Sequence, residues 1–275
     1  MITSLHHVAI AVRDFDAAAD GYARLLGIEP QMQDGGGARR AWFWLDNMGL
    51  EVIAPDGAGA SGEGASADRV RARLNEAGEG QWLVAFTASD LDADTRLCER
   101  RGFTIAERTE RATMFTPAST GGVQVALMDF PPLPSRATRA LPALDHVVVR
   151  TTNIDRAVAN FGGRLGLDLR LDRANEAWGA RQLFFRCGEG VLEFGASTKR
   201  AASDEPDSFG GLAWRVTDPD ALHARLAAEG FNVSELRTGR KPGTKVFTVR
   251  DAPNGASLGG VPTIMIQQTP VSEPT

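Results

Sequence analysis

The sequence predicts an α+β protein of four strand–helix–strand–strand–strand (βαβββ) modules, folded as two tandem domains with cup-shaped mixed sheets. Three observations carry this. Residues 5–28 (LHHVAIAVRDFDAAADGYARLLGI) and 144–167 (LDHVVVRTTNIDRAVANFGGRLGL) superpose without a gap on a shift of 139 positions. Leu5, His7, Val8, Asp16, Ala18, Leu26 and Gly27 then meet Leu144, His146, Val147, Asp155, Ala157, Leu165 and Gly166. A shift of 128 brings Asp90, Asp92, Gly102, Phe103 and Glu107 onto Asp218, Asp220, Gly230, Phe231 and Glu235. Finally, a proline-rich linker at 131–142 separates domains at 1–130 and 143–268, with a tail at 269–275. A lone module leaves one sheet face unburied, so modules are expected to pair.

In order, module one reads as a strand at 5–12, a helix at 14–26 and strands near 41–45 and 49–54, with turns at Asp34-Gly35-Gly36-Gly37 and Asp46-Asn47. Residues 55–68, rich in Gly, Ala and Ser, read as a loop closed by a short helix around Val70 and Leu74. Module two has a strand at 82–87, a helix at 90–101 and strands near 103–108, 113–116 and 123–128. Module three opens with the β-branched run Val147-Val148-Val149. Its helix is capped by Asn153 and marked by Ile154, Val158, Phe161 and Leu165 at spacings of three and four. Strands follow at 182–187 and 191–195, then a polar loop at 201–208. Module four has a strand at 212–216, a helix at 219–229 and strands near 233–236, 245–249 and 263–267.

Composition narrows the function classes. A chain of 275 residues with 43% hydrophobic and 24% charged content suits a globular protein with a substantial core. A net charge of -5 without a basic patch argues against nucleic acid as a partner. No apolar run is long enough for a membrane span, and the N-terminus lacks the pattern of a signal peptide. Cys98 and Cys187 form no CxxC motif and read as inert thiols of a reducing, cytoplasmic protein.

Two pairs of residues stand out. His7 and Glu51 lie on strands of module one, and His146 and Glu193 hold the same places in module three. Each glutamate sits between apolar neighbours, so it either faces a polar cavity or suffers a large desolvation cost. Alternation places Val148 and Arg150 on the face of His146, and Ala213 and Arg215 on that of Gly211. Two guanidinium groups there would clamp a carboxylate or phosphate, unless they form structural ion pairs. The matching positions of the first cup are Ala9, Ala11, Ala85 and Thr87, so the polar ligand is expected in the C-terminal cup. Trp42, Trp44, Trp178 and Trp214 are candidate walls of a flat substrate pocket, although aromatics on strands more often read as core. His6 is expected on the face opposite His7, and His223 on a solvated helix face. The turn 239–243, with Arg240 and Lys241, either gates the second cup or is a simple hairpin.

The whole pattern resembles the vicinal oxygen chelate superfamily. GLEVIAP (49–55), RVRARLNEAGEG (69–80) and ASDLDAD (88–94) are similar to its epimerase and lyase branch. LAWRVTDPDALHARLAAEGF (212–231), GRKPGT (239–244) and GGVPTIMIQ (259–267) are similar to its glyoxalase-like branch. The resemblance implies a divalent ion (Fe, Mn, Zn, Ni or Co), held by a ligand from each module's first strand and a carboxylate from its last. That assigns His7, Glu51, His146 and Glu193 as metal ligands. Modules two and four offer Leu83, Gly211, Ala126 and Met265 where ligands are expected. Either modules one and three therefore meet around one ion, or water, substrate or a loop residue completes each shell. The loss of ligands at Gly211 and Met265 disfavours a standard extradiol dioxygenase. The implied function is an isomerase, lyase or dioxygenase-like enzyme acting on a small oxygenated, anionic metabolite, with His146 and Glu193 catalytic and Arg150, Arg215 and Trp178 binding substrate. The alternative is a non-catalytic, sequestering protein of the bleomycin-resistance type. Homodimer formation is left open.

Overall fold

A computed structural model describes residues 1–56, 64–130, 142–239, 243–252 and 255–268. Residues 131–141 of the predicted linker at 131–142, the tail at 269–275, part of the loop after Pro55 and residues Arg240 and Lys241 of the basic turn lie outside the described residues. The first half comprises β1 (Ile2–Ala11), α1 (Phe15–Leu26), β2 (Gln31–Gly35), β3 (Ala38–Trp44), β4 (Gly49–Pro55), α2 (Ala65–Ala77), β5 (Gly80–Ala88), α3 (Leu91–Arg100), β6 (Ile105–Arg108), β7 (Ala112–Phe115), α4 (Pro117–Thr120) and β8 (Gln124–Met128). The second comprises β9 (Ala143–Arg150), α5 (Ile154–Ala157), β10 (Asp168–Asn175), β11 (Ala180–Cys187), β12 (Gly190–Ser197), β13 (Ser208–Val216), α6 (Pro219–Ala228), β14 (Asn232–Val233), β15 (Arg237–Thr238), β16 (Lys245–Arg250) and β17 (Thr263–Gln267). Two mixed sheets result, ordered β2-β3-β4-β1-β5-β8-β7-β6 and β10-β11-β12-β9-β13-β17-β16-β14, with β15 paired to β16.

The four modules start their helices in the same way. Asp14, Asp90, Asn153 and Asp218 each accept a hydrogen bond from the backbone N–H three residues on, at 2.9 to 3.1 Å. Such a cap satisfies an otherwise orphaned donor at the first turn. The helix of module three departs from expectation. After Ala157 it widens into a π-helical segment, Val158–Arg164, whose last turn is closed by Leu165 N–H on Asn160 O, five residues back. Gly162 and Gly163 lie within this segment, and a Cβ at Gly162 would stand 3.3 Å from the Phe185 ring. Strands β2 and β10 escape the sequence reading because they are edge strands, almost wholly exposed, and show no alternation of burial.

Within each sheet the antiparallel pairs β1–β5 and β9–β13 join odd to even modules. Modules one and two share one sheet and three and four the other, so modules one and three do not build a common cup. One large apolar core runs beneath both sheets, on the side of the module helices. The halves are stitched by direct contacts: Tyr22 Oη donates to Leu258 O at 3.1 Å, Arg225 Nη1 to Arg24 O at 2.7 Å and Asp207 N to Gly121 O at 2.8 Å. Gly21 permits this approach, since a Cβ there would stand 1.9 Å from Ser257 O. Trp214 is core as expected, and His223 is half-buried rather than solvated, its Nε2 2.9 Å from Ser234 O. Cys98 and Cys187 are free and buried, and burial raises their thiols to about 11 and about 12, leaving them unreactive.

Candidate functional site

The face of the second sheet opposite the core holds a connected line of polar groups. Cross-strand register aligns Glu193 (β12) with Val148 (β9) and Phe184 (β11), and Ala213 (β13) with His146. His146 Nε2 lies 2.9 Å from Glu193 Oε2, and its Nδ1 2.8 Å from Asp145 Oδ1. Gln182 Nε2 donates to Glu193 Oε1, and Arg173 Nη2 donates to Gln182 Oε1 at 2.9 Å. Arg215 Nε stands 3.5 Å from Asp145 Oδ2 at the other end. A β-bulge makes this possible. The register skips Asp145 between Leu144 and His146, turning two consecutive side chains to one side. Burial pushes His146 down, but its hydrogen bonds to Asp145 and Glu193, and their charges, outweigh that and raise it to about 9. At neutral pH it is an imidazolium clasped by two carboxylates. Around it Val148, Phe184, Ile264 and Ile266 are only half-buried, so the face is an open, apolar-walled cup.

The first sheet repeats the layout with other chemistry. Its bulge at His6 turns His6 and His7 to the same side, Nδ1 to Nδ1 at 2.7 Å, which overturns the expectation that His6 faces away. Burial lowers His6 to about 4, and burial together with the neighbouring His6 lowers His7 well below the usual imidazole value. Both rings are neutral. Glu51 Oε1 pairs with Arg40 Nε at 3.0 Å, whereas Glu51 Oε2 stands 3.7 Å from His7 Nε2. Burial raises Glu51 to about 7 against the pull of Arg40. Trp42 and Trp44, expected in the core, instead stack on this face, 5.1 Å apart, with Trp42 edge-on to His7 at 5.0 Å. Helix α2 plugs this half of the cup: Val70 and Leu74 pack on Ala11, Ala38 and Ile53, leaving His7 and Glu51 side chains 3% and 7% exposed.

The donor set does not fit the divalent ion that the resemblance implies. The four expected ligands are split between two sheets, two in each, so the single four-ligand centre is overturned. In the second cup both ring nitrogens of His146 already face carboxylates, so a metal would have to displace the ring's contact with Asp145 or with Glu193, and a proton with it. In the first, the Arg40 guanidinium sits on Glu51. The residues opposite His7 and His146 are Ala85 and Ala213, one pleat from the Leu83 and Gly211 reached by counting; the last strands face them with Ala126 and Ile264, while Met265 is buried on the core side. Gly211 has φ +136°, and a Cβ there would lie 2.2 Å from Pro262 O, so no ligand residue fits that position. Among the described residues no group of three or more His, Cys, Asp or Glu side chains is placed to hold a metal ion.

The other expected residues separate. Arg215 joins the His146 network, but through Asp145. Arg150 ends β9, exposed, and lines a cavity between the two halves. Trp178 lies in the β10–β11 turn, 52% exposed. Sequence reasoning missed Asp145, Gln182 and Arg173. Arg173 and Gln182 face each other across a hairpin, and counting back from its turn pairs them.

A family model described as "Glyoxalase/Bleomycin resistance protein/Dioxygenase superfamily" matches residues 6–120 and 145–248. Among solved structures, a triple mutant of 4-hydroxymandelate synthase from Streptomyces coelicolor aligns with a TM-score of 0.73 at 14% identity, covering 98% of this chain and 93% of that one. Methylmalonyl-CoA epimerase from Mycobacterium tuberculosis aligns at 23% identity and TM-score 0.38, over 46% of this chain and 88% of its own. A variant of the Streptomyces coelicolor epimerase with 2-nitronate-propionyl-CoA aligns at 24% identity and TM-score 0.40, over 47% and 98%. No curated protein sequence matches the chain.

Proposed function

Because the chain belongs to the glyoxalase/bleomycin resistance protein/dioxygenase superfamily, we propose that it is an enzyme that moves a proton on a small oxygenated acid held in the C-terminal cup. The observation that carries this is the Asp145–His146–Glu193 triad on the open face of the second sheet. A charged triad adds nothing to the apolar core beneath, and taking it out of water costs several kcal/mol that its own pairing must offset, so a role toward a ligand accounts for its place.

The roles follow from the geometry. Arg173 and Arg215 stand at the two ends of the polar line, Arg173 with a buried Nε that makes no hydrogen bond among the described residues and Arg215 with its Nε 3.5 Å from Asp145 Oδ2. They suit a substrate carboxylate. Glu193, held beside His146 and accepting from Gln182, is the base that takes the proton from the substrate carbon next to the carboxylate. The His146 imidazolium, anchored by Asp145, is the fixed positive charge beside the oxyanion that develops. Phe184, Val148 and Ile264 wall the substrate. Among the described residues no side chains form a ligand shell for a metal, so these roles rest on the protein's own groups.

The occupation of both His146 nitrogens favours one alternative, binding without turnover. Incubating the protein with 2-hydroxy acids, which carry a hydrogen on the carbon next to the carboxylate, in deuterated buffer separates the two readings. Exchange of the acid's α-hydrogen, followed by proton NMR and lost in Glu193→Gln, is expected of the enzyme. An acid that binds and is recovered unlabelled makes the protein a binder, and no binding at all removes the cup as the site.

A further inference from the structure

The hollow of the first sheet that α2 leaves unfilled is a cavity of about 890 Å³, closed on one side by the second half of the chain. Its volume falls in the range of sites for drug-sized ligands, roughly 300–1,000 Å³. Neither His146 nor Glu193 lines it. Its walls include Trp82, Met114 and Phe209, all only half-buried, a concentration of large apolar surface that a closed interface would have covered.

Charge selects the ligand. Arg69 is paired with Glu107, and Asp207 with Arg156. Glu79 accepts the backbone N–H of Arg13. Arg73 donates to Gly78 O at 2.7 Å and Gln81 O at 3.1 Å, with Glu76 in its field. Arg150 differs: it is exposed, it forms no ion pair among the described residues, and its guanidinium reaches only Gly210 O, at 3.4 Å. Its side chain is directed along this wall by Gly210, where a Cβ would come within 3.2 Å of Arg150 Cγ. We infer that this cavity is a second binding site, for an amphipathic monoanion whose apolar body lies against Trp82, Met114 and Phe209 and whose carboxylate or sulfonate is held by Arg150.

The site is independent of the C-terminal cup, and its test is too. The full-length protein is titrated with 1-anilinonaphthalene-8-sulfonate, followed by probe fluorescence and by energy transfer from tryptophan, and the probe is then competed with decanoate. One saturable site, displaced by decanoate, is expected. Arg150→Met should weaken the probe fivefold or more with an unchanged circular dichroism spectrum, and Trp82→Phe should reduce the energy transfer. Glu193→Gln should leave the affinity within twofold. Non-saturable binding, failure of decanoate to compete, a loss under fivefold in Arg150→Met, or equal weakening by Glu193→Gln would each overturn the assignment.

Discussion

The two sheets place different side chains at the same positions, and the contrast explains why one cup is shut and the other open. His7 and His146 both face a glutamate from the last strand of their own module. Beside each, a bulge presents one more side chain: His6 in the first, Asp145 in the second. The glutamate's other oxygen meets Arg40 in the first and Gln182 in the second. Swapping a neutral ring for a carboxylate, and a cation for an amide, moves the positive charge from a guanidinium to the imidazole. The covers differ as well. Residues 56–79 connect β4 to β5 and include α2, whereas 198–207 connect β12 to β13 with no helix. The lesson is that the charge on a histidine is set by its neighbours, and the access to it by a connection distant in sequence.

The comparison breaks most directly at the imidazolium. His146→Ala leaves Asp145 and Glu193 without their shared cation, and the cost expected for stripping one partner from a buried pair is about 3–5 kcal/mol. His7→Ala, which removes a neutral ring, should cost less, as read from urea unfolding of the two variants side by side. Glu193→Gln should slow hydrogen exchange on a bound acid by about a hundredfold. Glu51→Gln should leave that rate unchanged, because α2 covers its cup. If the two substitutions act alike, the cups are not functionally distinct.

Removing the plug is the next test. Leu74→Ala should destabilise by about 2 kcal/mol or more through its lost burial under α2. It should also raise the access of the Trp42–Trp44 pair to acrylamide quenching. The pH dependence is subtler. His146 is raised to about 9 from 6.5, so its contribution is complete below about pH 6.5 and is lost as pH rises through 9. The stability gap between wild type and His146→Gln should therefore narrow between pH 7 and pH 10. Asp145→His, which copies the first cup into the second, should abolish that narrowing by bringing the His146 pKa below 7, as followed by imidazole NMR. A pKa that stays near 9 would show that Glu193 alone sustains the charge.

Much of this was legible in the chain. The repeat, the four module helices with the cap at Asn153, the helix around Val70 and Leu74 and both His–Glu pairs follow from residue type and local spacing, because caps and apolar periods act over a few residues. The face of Val148 and Arg150 also follows, since alternation holds along an unbroken strand. Alternation failed at His6 and Asp145, where a bulge adds a residue that no local pattern announces. It failed again at Gly211, where counting from the helix cap misses the register by a pleat. The polar line through Arg173, Gln182 and Glu193 depends on which strands become neighbours.

The sequence by itself determined the modules, their number and the place of a histidine and a glutamate in modules one and three, because these rest on short-range propensity and repetition. Only the tertiary structure decided that the two pairs stay apart, that one imidazole is charged and the other neutral, and that Arg150 faces a separate hollow. Those outcomes depend on burial and on partners brought together from strands far apart in the chain, and a pKa or a ligand shell has no meaning until that proximity exists.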